Sequence, residues 1–172
     1  MSTRPYRITV VCTGNICRSP LGEFLLRERF EAAGLGDQVD VDSAGTHSWE
    51  VGNPADPRTL AVLERNGHAD WGGGGHIARR FERSWLDEVD LVLAADAGHL
   101  SALQRLARTD AQRAKVRMLR SFDPLAARDG TLDMDDPWYG DDAAFDQTYA
   151  EVVAAADGVV DFVRQALAAR NG

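Results

Sequence analysis

The chain is poor in several things, and each shortage excludes a class of protein. Two cysteines, Cys12 and Cys17, in 172 residues are too few for a disulfide scaffold, and a bridge between them would close only a tiny loop. No apolar run approaches the roughly 18 residues of a membrane span. The first strand-like run, Ile8 to Val11, ends at Cys12, too short for the apolar stretch of a secretory signal. The expectation is a cytoplasmic protein with reduced thiols and no membrane partner. Net positive charge is missing as well. The formal balance is −8, so no nucleic-acid partner is expected, because such partners need a basic face. Lysine is nearly absent, with Lys115 alone among the 19 basic residues, which we read as codon bias without chemical meaning. Four histidines and two cysteines show no metal-ligand spacing, so no metal and no cofactor is expected.

What remains is an ordinary globular composition, 44% hydrophobic and 27% charged. The length suits one domain over residues 1–172. Charge is unevenly placed. Ser121 to Asp161 holds eleven acidic residues against Arg128 alone. Strand-like and helix-like segments alternate. Tyr6–Val11, Val39–Ser43, Val89–Ala95 and Val116–Leu119 read as strands. Ser19-Pro20 reads as cap and first position of a helix that Gly34 and Gly36 stop, and Asp56-Pro57 repeats the pattern for a helix to Asn66-Gly67. Phe81–Leu86 is a short amphipathic piece and Ala97–Ala107 a helix. Phe145–Leu167 is a long terminal helix in which Gly158 is a weak point. Gly72–Gly75 reads as a mobile loop. Strands separated by helices imply an α/β fold, a parallel sheet flanked by helices on both faces as a three-layer sandwich. Ligands then bind beyond the carboxyl ends of the strands.

The loop after the first strand reads Cys12-Thr13-Gly14-Asn15-Ile16-Cys17-Arg18-Ser19. It offers successive backbone N–H groups and a helix N-terminus, the ingredients of an anion cradle. Cys12 stands at the strand end, where that positive field should favour its thiolate. Arg18 can direct two parallel N–H groups at phosphate oxygens. A nucleophile, a cradle and a forked cation within seven residues make a phosphoryl-transfer design. The loop lacks the Lys-Ser/Thr of a Walker loop and the Gly spacing of a dinucleotide loop.

The run Val11 to Pro20 resembles the active-site loop of the low-molecular-weight protein tyrosine phosphatases, most of all their actinobacterial members. The likeness continues through Asp42-Ser43-Ala44-Gly45-Thr46, Trp49, Asp56-Pro57-Arg58, His76-Ile77-Ala78-Arg79, Arg117 to Pro124 and Asp136-Pro137. The resemblance implies a four-stranded parallel sheet and hydrolysis of phosphotyrosine and aryl phosphates through a phosphocysteine. It assigns the phosphate loop to Thr13, Gly14, Asn15, Ile16, Cys17 and Arg18. Asn15, Ser19, Ser43, His76 and Asp96 would hold that loop in shape.

A phenolate is a poor leaving group, so an acid must protonate it and a base must later activate water. The resemblance assigns both tasks to Asp136. Spacing alone does not choose it over Asp135, and the neighbouring Pro137 tips the choice. Its acidic neighbours Asp133 and Asp135 should raise its pKa. Trp49, Trp138 and Tyr139 would wall an aryl-binding cleft, with Trp138 standing where the family usually has Tyr. Cys17 is implied as a reversible disulfide partner that protects Cys12. His47, His68 and His99 carry no motif and are expected on the surface.

Two other readings stand beside this one. Arsenate reduction uses the same fold but needs three thiols, one more than this chain has. A silent phosphotyrosine-binding module would not need Cys12, Arg18 and Asp136 together. Phosphotyrosine protein substrates are the expected partners, with a monomer or weak self-association. Thr13 leaves a phosphoarginine substrate open.

Overall fold

The computed structural model describes residues 4–68 and 75–172, so three residues of the expected Gly72–Gly75 loop lie outside the described residues. Four strands form one parallel sheet: β1 (Tyr6–Cys12), β2 (Val39–Gly45), β3 (Leu91–Ala94) and β4 (Val116–Met118), in the order β2-β1-β3-β4. Val10 pairs with Ser43 on one side and Leu93 on the other. The helices are α1 (Arg18–Ala32), α2 (Pro57–Arg65), α3 (Ala97–Leu106), α4 (Asp110–Ala114), α5 (Pro124–Asp129) and α6 (Asp142–Asn171). Alternation along β1 sends Ile8, Val10 and Cys12 to one core, which Leu21, Leu25 and Leu26 of α1 and Phe145, Val152 and Val159 of α6 complete. Val11 faces the other core with Phe81, Leu86 and Leu103. Burial on both faces is why the central strands read as nearly unbroken apolar runs.

The two cap-then-proline patterns behave differently. Asp56 caps α2 as expected, its Oδ1 accepting the Arg58 N–H at 2.8 Å. Ser19 does not cap α1. That helix begins at Arg18 behind Cys17, which makes no side-chain cap bond, and Ser19 Oγ is engaged elsewhere. Pro20 falls inside the first turn, where a missing N–H is harmless. The expected strand Val39–Ser43 runs on to Gly45, and Val89–Ala95 shortens to Leu91–Ala94. The Phe81–Leu86 piece is a 3-10 turn over Arg83–Asp87, and α4 and α5 are additional short helices. The terminal helix is longer than expected, capped by Asp141.

Gly158 in α6 is a close-packing position rather than a weak point. A Cβ there would collide with the Phe122 carbonyl oxygen. Gly158→Ala is therefore expected to lower stability by about 1–3 kcal/mol, reversing the gain of about 1 kcal/mol that alanine normally brings to a helix. Thermal unfolding checks this, and a raised Tm would remove the close approach from the account.

The strand order places the topological switch at β1 and β3, whose carboxyl ends open a crevice. Cys12 ends β1, and Asp96 follows β3 as the cap of α3, accepting the His99 N–H at 3.0 Å.

Candidate active site

Residues 12–18 form a loop whose carbonyls are tied outward. The carbonyls of Cys12 and Thr13 accept from the Thr46 and His47 N–H groups, and that of Ile16 from Asp56 N–H. The Asn15 carbonyl accepts from His76 Nε2 at 2.7 Å, and the Cys17 carbonyl from Leu21 N–H and the Thr59 hydroxyl. Among the described residues, the backbone N–H groups of Gly14 to Arg18 meet no acceptor. A loop wired this way presents donors inward.

Asn15 has φ +60°, a left-handed conformation that non-glycine residues enter at a cost. Its side chain is saturated to hold it there. Nδ2 donates to Ser19 Oγ at 2.8 Å and to Ser43 Oγ at 2.9 Å, and Oδ1 accepts the Arg79 N–H at 3.0 Å. Gly45 lets the loop approach β2, because a Cβ there would stand 2.6 Å from the Thr13 carbonyl oxygen. Since Ser19 Oγ already accepts from Asn15, its own proton is free for Cys12 Sγ, 3.0 Å away. That contact is what Ser19 does in place of capping.

Arg18 is 3% exposed, and its Nη1 edge is closely bonded. Nη1 donates to Asp96 Oδ2 at 2.9 Å and to the Met134 carbonyl at 2.8 Å. Nη2 has looser company, Thr13 Oγ1 and Asp136 Oδ2, each at 3.5 Å. The Nη2 edge is thus the one with donor capacity left. Burial works against the charge of Asp96, but His99 and Arg18 outweigh it and hold that carboxyl below its ordinary range.

Asp136 begins the turn Pro137–Tyr139 and caps it, Oδ1 accepting the Trp138 N–H at 3.1 Å. Asp133 turns its carboxylate to the N–H of Ala97 at 2.7 Å, and the charge facing Asp136 is the Arg18 guanidinium. Arg58 fastens the turn. It forks onto Asp56 and donates to the carbonyls of Trp138 and Gly140, both at 3.2 Å. Its plane lies 4.7 Å over the Phe145 ring.

Trp49, Trp138 and Tyr139 are 73%, 50% and 83% exposed, and they rim a cleft of about 190 Å³ with Cys12 at its floor. Trp49 stacks on His47 at 4.2 Å, and Trp138 meets Tyr139 edge-on. Larger clefts exist beside Arg27 and Arg79, but they contain neither cysteine. Cys17 also lines the small cleft, and burial, with the negative charge of Asp56, pushes its thiol well up. Both cysteines are free thiols.

Of the sequence-derived residues, Cys12, Thr13, Gly14, Ile16, Cys17, Arg18, Asp136 and the three aromatics line this cleft; Ser19 and Asp96 bond Cys12 and Arg18 behind it, while Ser43 and His76 bond Asn15 from the neighbouring cleft. Burial lowers the His76 pKa against its bond to Asn15. Of the three histidines expected on the surface, only His47 is exposed. His68 is half-buried between Glu28 at 2.8 Å and the Tyr149 hydroxyl at 2.7 Å. His99 is 5% exposed, with Nε2 2.8 Å from Thr13 Oγ1. It was missed because its partner is 86 residues away and no local pattern marks the contact. Arg58 and the Met134 carbonyl were missed likewise, although Arg58 adjoins the Asp56-Pro57 helix start. Among the described residues, no cluster of His, Cys, Asp or Glu could hold a metal ion, and no helix is long and apolar enough to cross a membrane.

Comparison with known proteins places this arrangement. Residues 7–169 match the family described as low molecular weight phosphotyrosine protein phosphatase. A low molecular weight protein-tyrosine-phosphatase of Streptomyces coelicolor is 51% identical over 165 residues, 96% of this chain and 98% of that one. Low molecular weight protein-tyrosine phosphatase A of Mycobacterium tuberculosis is 43% identical over 170 residues, 98% and 97% of the two chains. Among solved structures, YfkJ of Bacillus subtilis superposes with a TM-score of 0.85 at 25% identity, covering 96% of this chain and 98% of its own. Vibrio vulnificus Wzb in complex with benzylphosphonate gives 0.75 at 29% identity, covering 91% and 97%.

Proposed function

The chain belongs to the low-molecular-weight protein-tyrosine phosphatase family and is a protein-tyrosine phosphatase; from that premise we propose that Cys12 is its nucleophile, Arg18 and the loop N–H groups its phosphate cradle, and Asp136 its acid and base. The observation that carries this reading is the wiring of the loop that follows Cys12: the carbonyls of Cys12, Thr13, Asn15, Ile16 and Cys17 are engaged and, among the described residues, the N–H groups of Gly14 to Arg18 meet no acceptor. The sulfur attacks phosphorus in line. The cradle and the Nη2 edge of Arg18 take the charge that builds on the equatorial oxygens. Asp136 Oδ2 gives its proton to the departing phenolic oxygen. It then takes a proton from the water that cleaves the phosphocysteine.

The aromatic rim and narrow cleft fit a flat ring above the phosphate, so the substrates are phosphotyrosine side chains of proteins. The benzylphosphonate held by the Vibrio relative has a similar shape, a ring one bridging atom from phosphorus, with a methylene where an aryl phosphate has oxygen. A reducing cytoplasm keeps Cys12 and Cys17 as thiols. Under oxidation, a Cys12 sulfenic acid condenses with the Cys17 thiol, releasing water and sparing Cys12 from further oxidation. The protein works as a monomer or with weak self-association.

The deciding experiment is a panel of phosphotyrosine, phosphoserine and phosphoarginine peptides with EDTA present. Phosphotyrosine is expected to be hydrolysed preferentially and EDTA to change nothing. A preference for phosphoarginine would overturn the substrate reading, and loss of activity in EDTA would overturn the mechanism.

Arg58 offers a second check. Arg58→Ala frees the Asp136 turn while leaving the phosphate loop intact. It is expected to lower kcat/KM about tenfold, short of the roughly 10²-fold that an ångström of misplacement can cost. Competitive inhibition by inorganic phosphate should hardly move. An equal loss in both quantities would place Arg58 with the cradle instead.

A further inference from the structure

We propose that His99 is a positioning residue for Arg18: acting through Thr13 on one side and Asp96 on the other, it fixes the plane in which the guanidinium meets the phosphoryl oxygens. The contacts close a ring. Arg18 Nη1 donates to Asp96 Oδ2 at 2.9 Å, and Asp96 Oδ1 accepts the backbone N–H of His99 at 3.0 Å. The same residue's Nε2 bonds Thr13 Oγ1 at 2.8 Å, and Thr13 Oγ1 lies 3.5 Å from Arg18 Nη2. Each end of the guanidinium therefore faces a group that His99 bonds, Asp96 closely and Thr13 more loosely, and neither link passes through the substrate.

The tautomer gives the ring a direction. His99 Nδ1 makes no hydrogen bond, but it lies 3.2 Å from Asp96 Oδ1, off the alignment a bond needs. The carboxylate there favours a proton on Nδ1 over a lone pair. Nε2 then accepts, and the Thr13 O–H donates to it. That leaves Thr13 Oγ1 turning lone pairs toward Arg18 Nη2, as an acceptor for the cation. A protonated imidazole would reverse this, because both nitrogens would donate and Thr13 would have to turn its proton toward Arg18.

The surroundings keep the imidazole neutral. Burial pushes its pKa down to about 4, against the pull of Asp96 and with the push of Arg18. Asp136 and His47 are the other titratable groups whose charge reaches it, Asp136 opposing the shift and His47 adding to it. His99 also sits in the first turn of α3, where the helix end disfavours a cation. A polar side chain this buried, bonded to the phosphate loop and unused by the chemical steps above, is accounted for by the ring.

The inference rests on reading residues 12–18 as a phosphate loop, and the wild-type protein tests that reading first. Inorganic phosphate and vanadate should inhibit it competitively. Failure there removes the loop reading and the inference together. Given inhibition, His99→Leu is expected to raise the vanadate Ki and lower kcat/KM, each about tenfold, below the roughly 10²-fold cost of an ångström of misplacement. The thermal unfolding midpoint should stay near wild type. His99→Gln can present an amide oxygen near the place of Nε2, and it should recover most of the loss. Thr13→Val should lose as much as His99→Leu, and the double variant no more than either, because the contacts act as one unit. An unchanged vanadate Ki in His99→Leu, no recovery in His99→Gln, or additive losses would each overturn the inference. If His99→Leu fails to fold, Thr13→Val against His99→Gln decides: the first must weaken vanadate and the second must not.

Discussion

Cys12→Ser is expected to abolish turnover, by about 10⁴-fold or more, because binding and the cradle are all that survive loss of the nucleophile. The fold should persist. Cys12 is buried at the end of β1, and its sulfur already faces a hydroxyl partner, Ser19 Oγ at 3.0 Å. A serine hydroxyl can keep that contact, so no polar atom is stranded. The cradle should persist too, because its wiring runs through the loop carbonyls, Asn15 and Asp96, none of which touches the sulfur's chemistry. Phosphate or vanadate binding, measured by calorimetry, should therefore remain while product release disappears. Burst kinetics with an aryl phosphate give the complementary signature, a phosphoenzyme in wild type and none in the variant. Wild-type turnover by Cys12→Ser would exclude the phosphocysteine route altogether.

How much of this was legible depends on whether the signal was local. Cys12 to Arg18 is a contiguous run, and its chemistry is dictated by the strand before it and the helix after it. Both could be read from apolar spacing. The parallel sheet followed from strands separated by helices. Ser19-Pro20 shows where local reading fails. Its pattern matches Asp56-Pro57, yet Asp56 caps a helix and Ser19 does not. The difference lies in the loop geometry: Asn15 Nδ2 donates to the Ser19 hydroxyl and Cys12 Sγ lies 3.0 Å from it, in a turn that needs the left-handed Asn15. Gly158 is the same lesson in a helix. Propensity marks it as a cost, while the carbonyl of Phe122 makes it a requirement. His99 and Arg58 work across 86 and 80 residues of sequence, where no spacing rule reaches.

Asp136→Asn should lower kcat/KM for phosphotyrosine by about 10²–10⁴, the usual worth of a positioned acid. Asparagine is the informative substitution because it separates position from proton. Its amide oxygen can still accept the Trp138 N–H that caps the Pro137–Tyr139 turn, and Arg58 still holds the carbonyls of Trp138 and Gly140. The turn keeps its shape and only the transferable proton is lost. The loss should then depend on the leaving group. With a phenol of pKa about 10, like tyrosine, the departing oxygen needs the proton and the penalty is greatest. With phenols of pKa near about 7, where the oxygen leaves readily as an anion, the penalty should shrink. Plotting rate against phenol pKa should give a shallow line for wild type and a steep one for the variant. Asp135→Asn is the matched control, since sequence spacing did not distinguish the two carboxylates. The structure turns Asp136 toward Arg18, with 3.5 Å between Oδ2 and Nη2, so Asp135→Asn should keep the shallow line. Equal slopes for wild type and Asp136→Asn, or a steep slope for Asp135→Asn, would move the acid elsewhere in the loop.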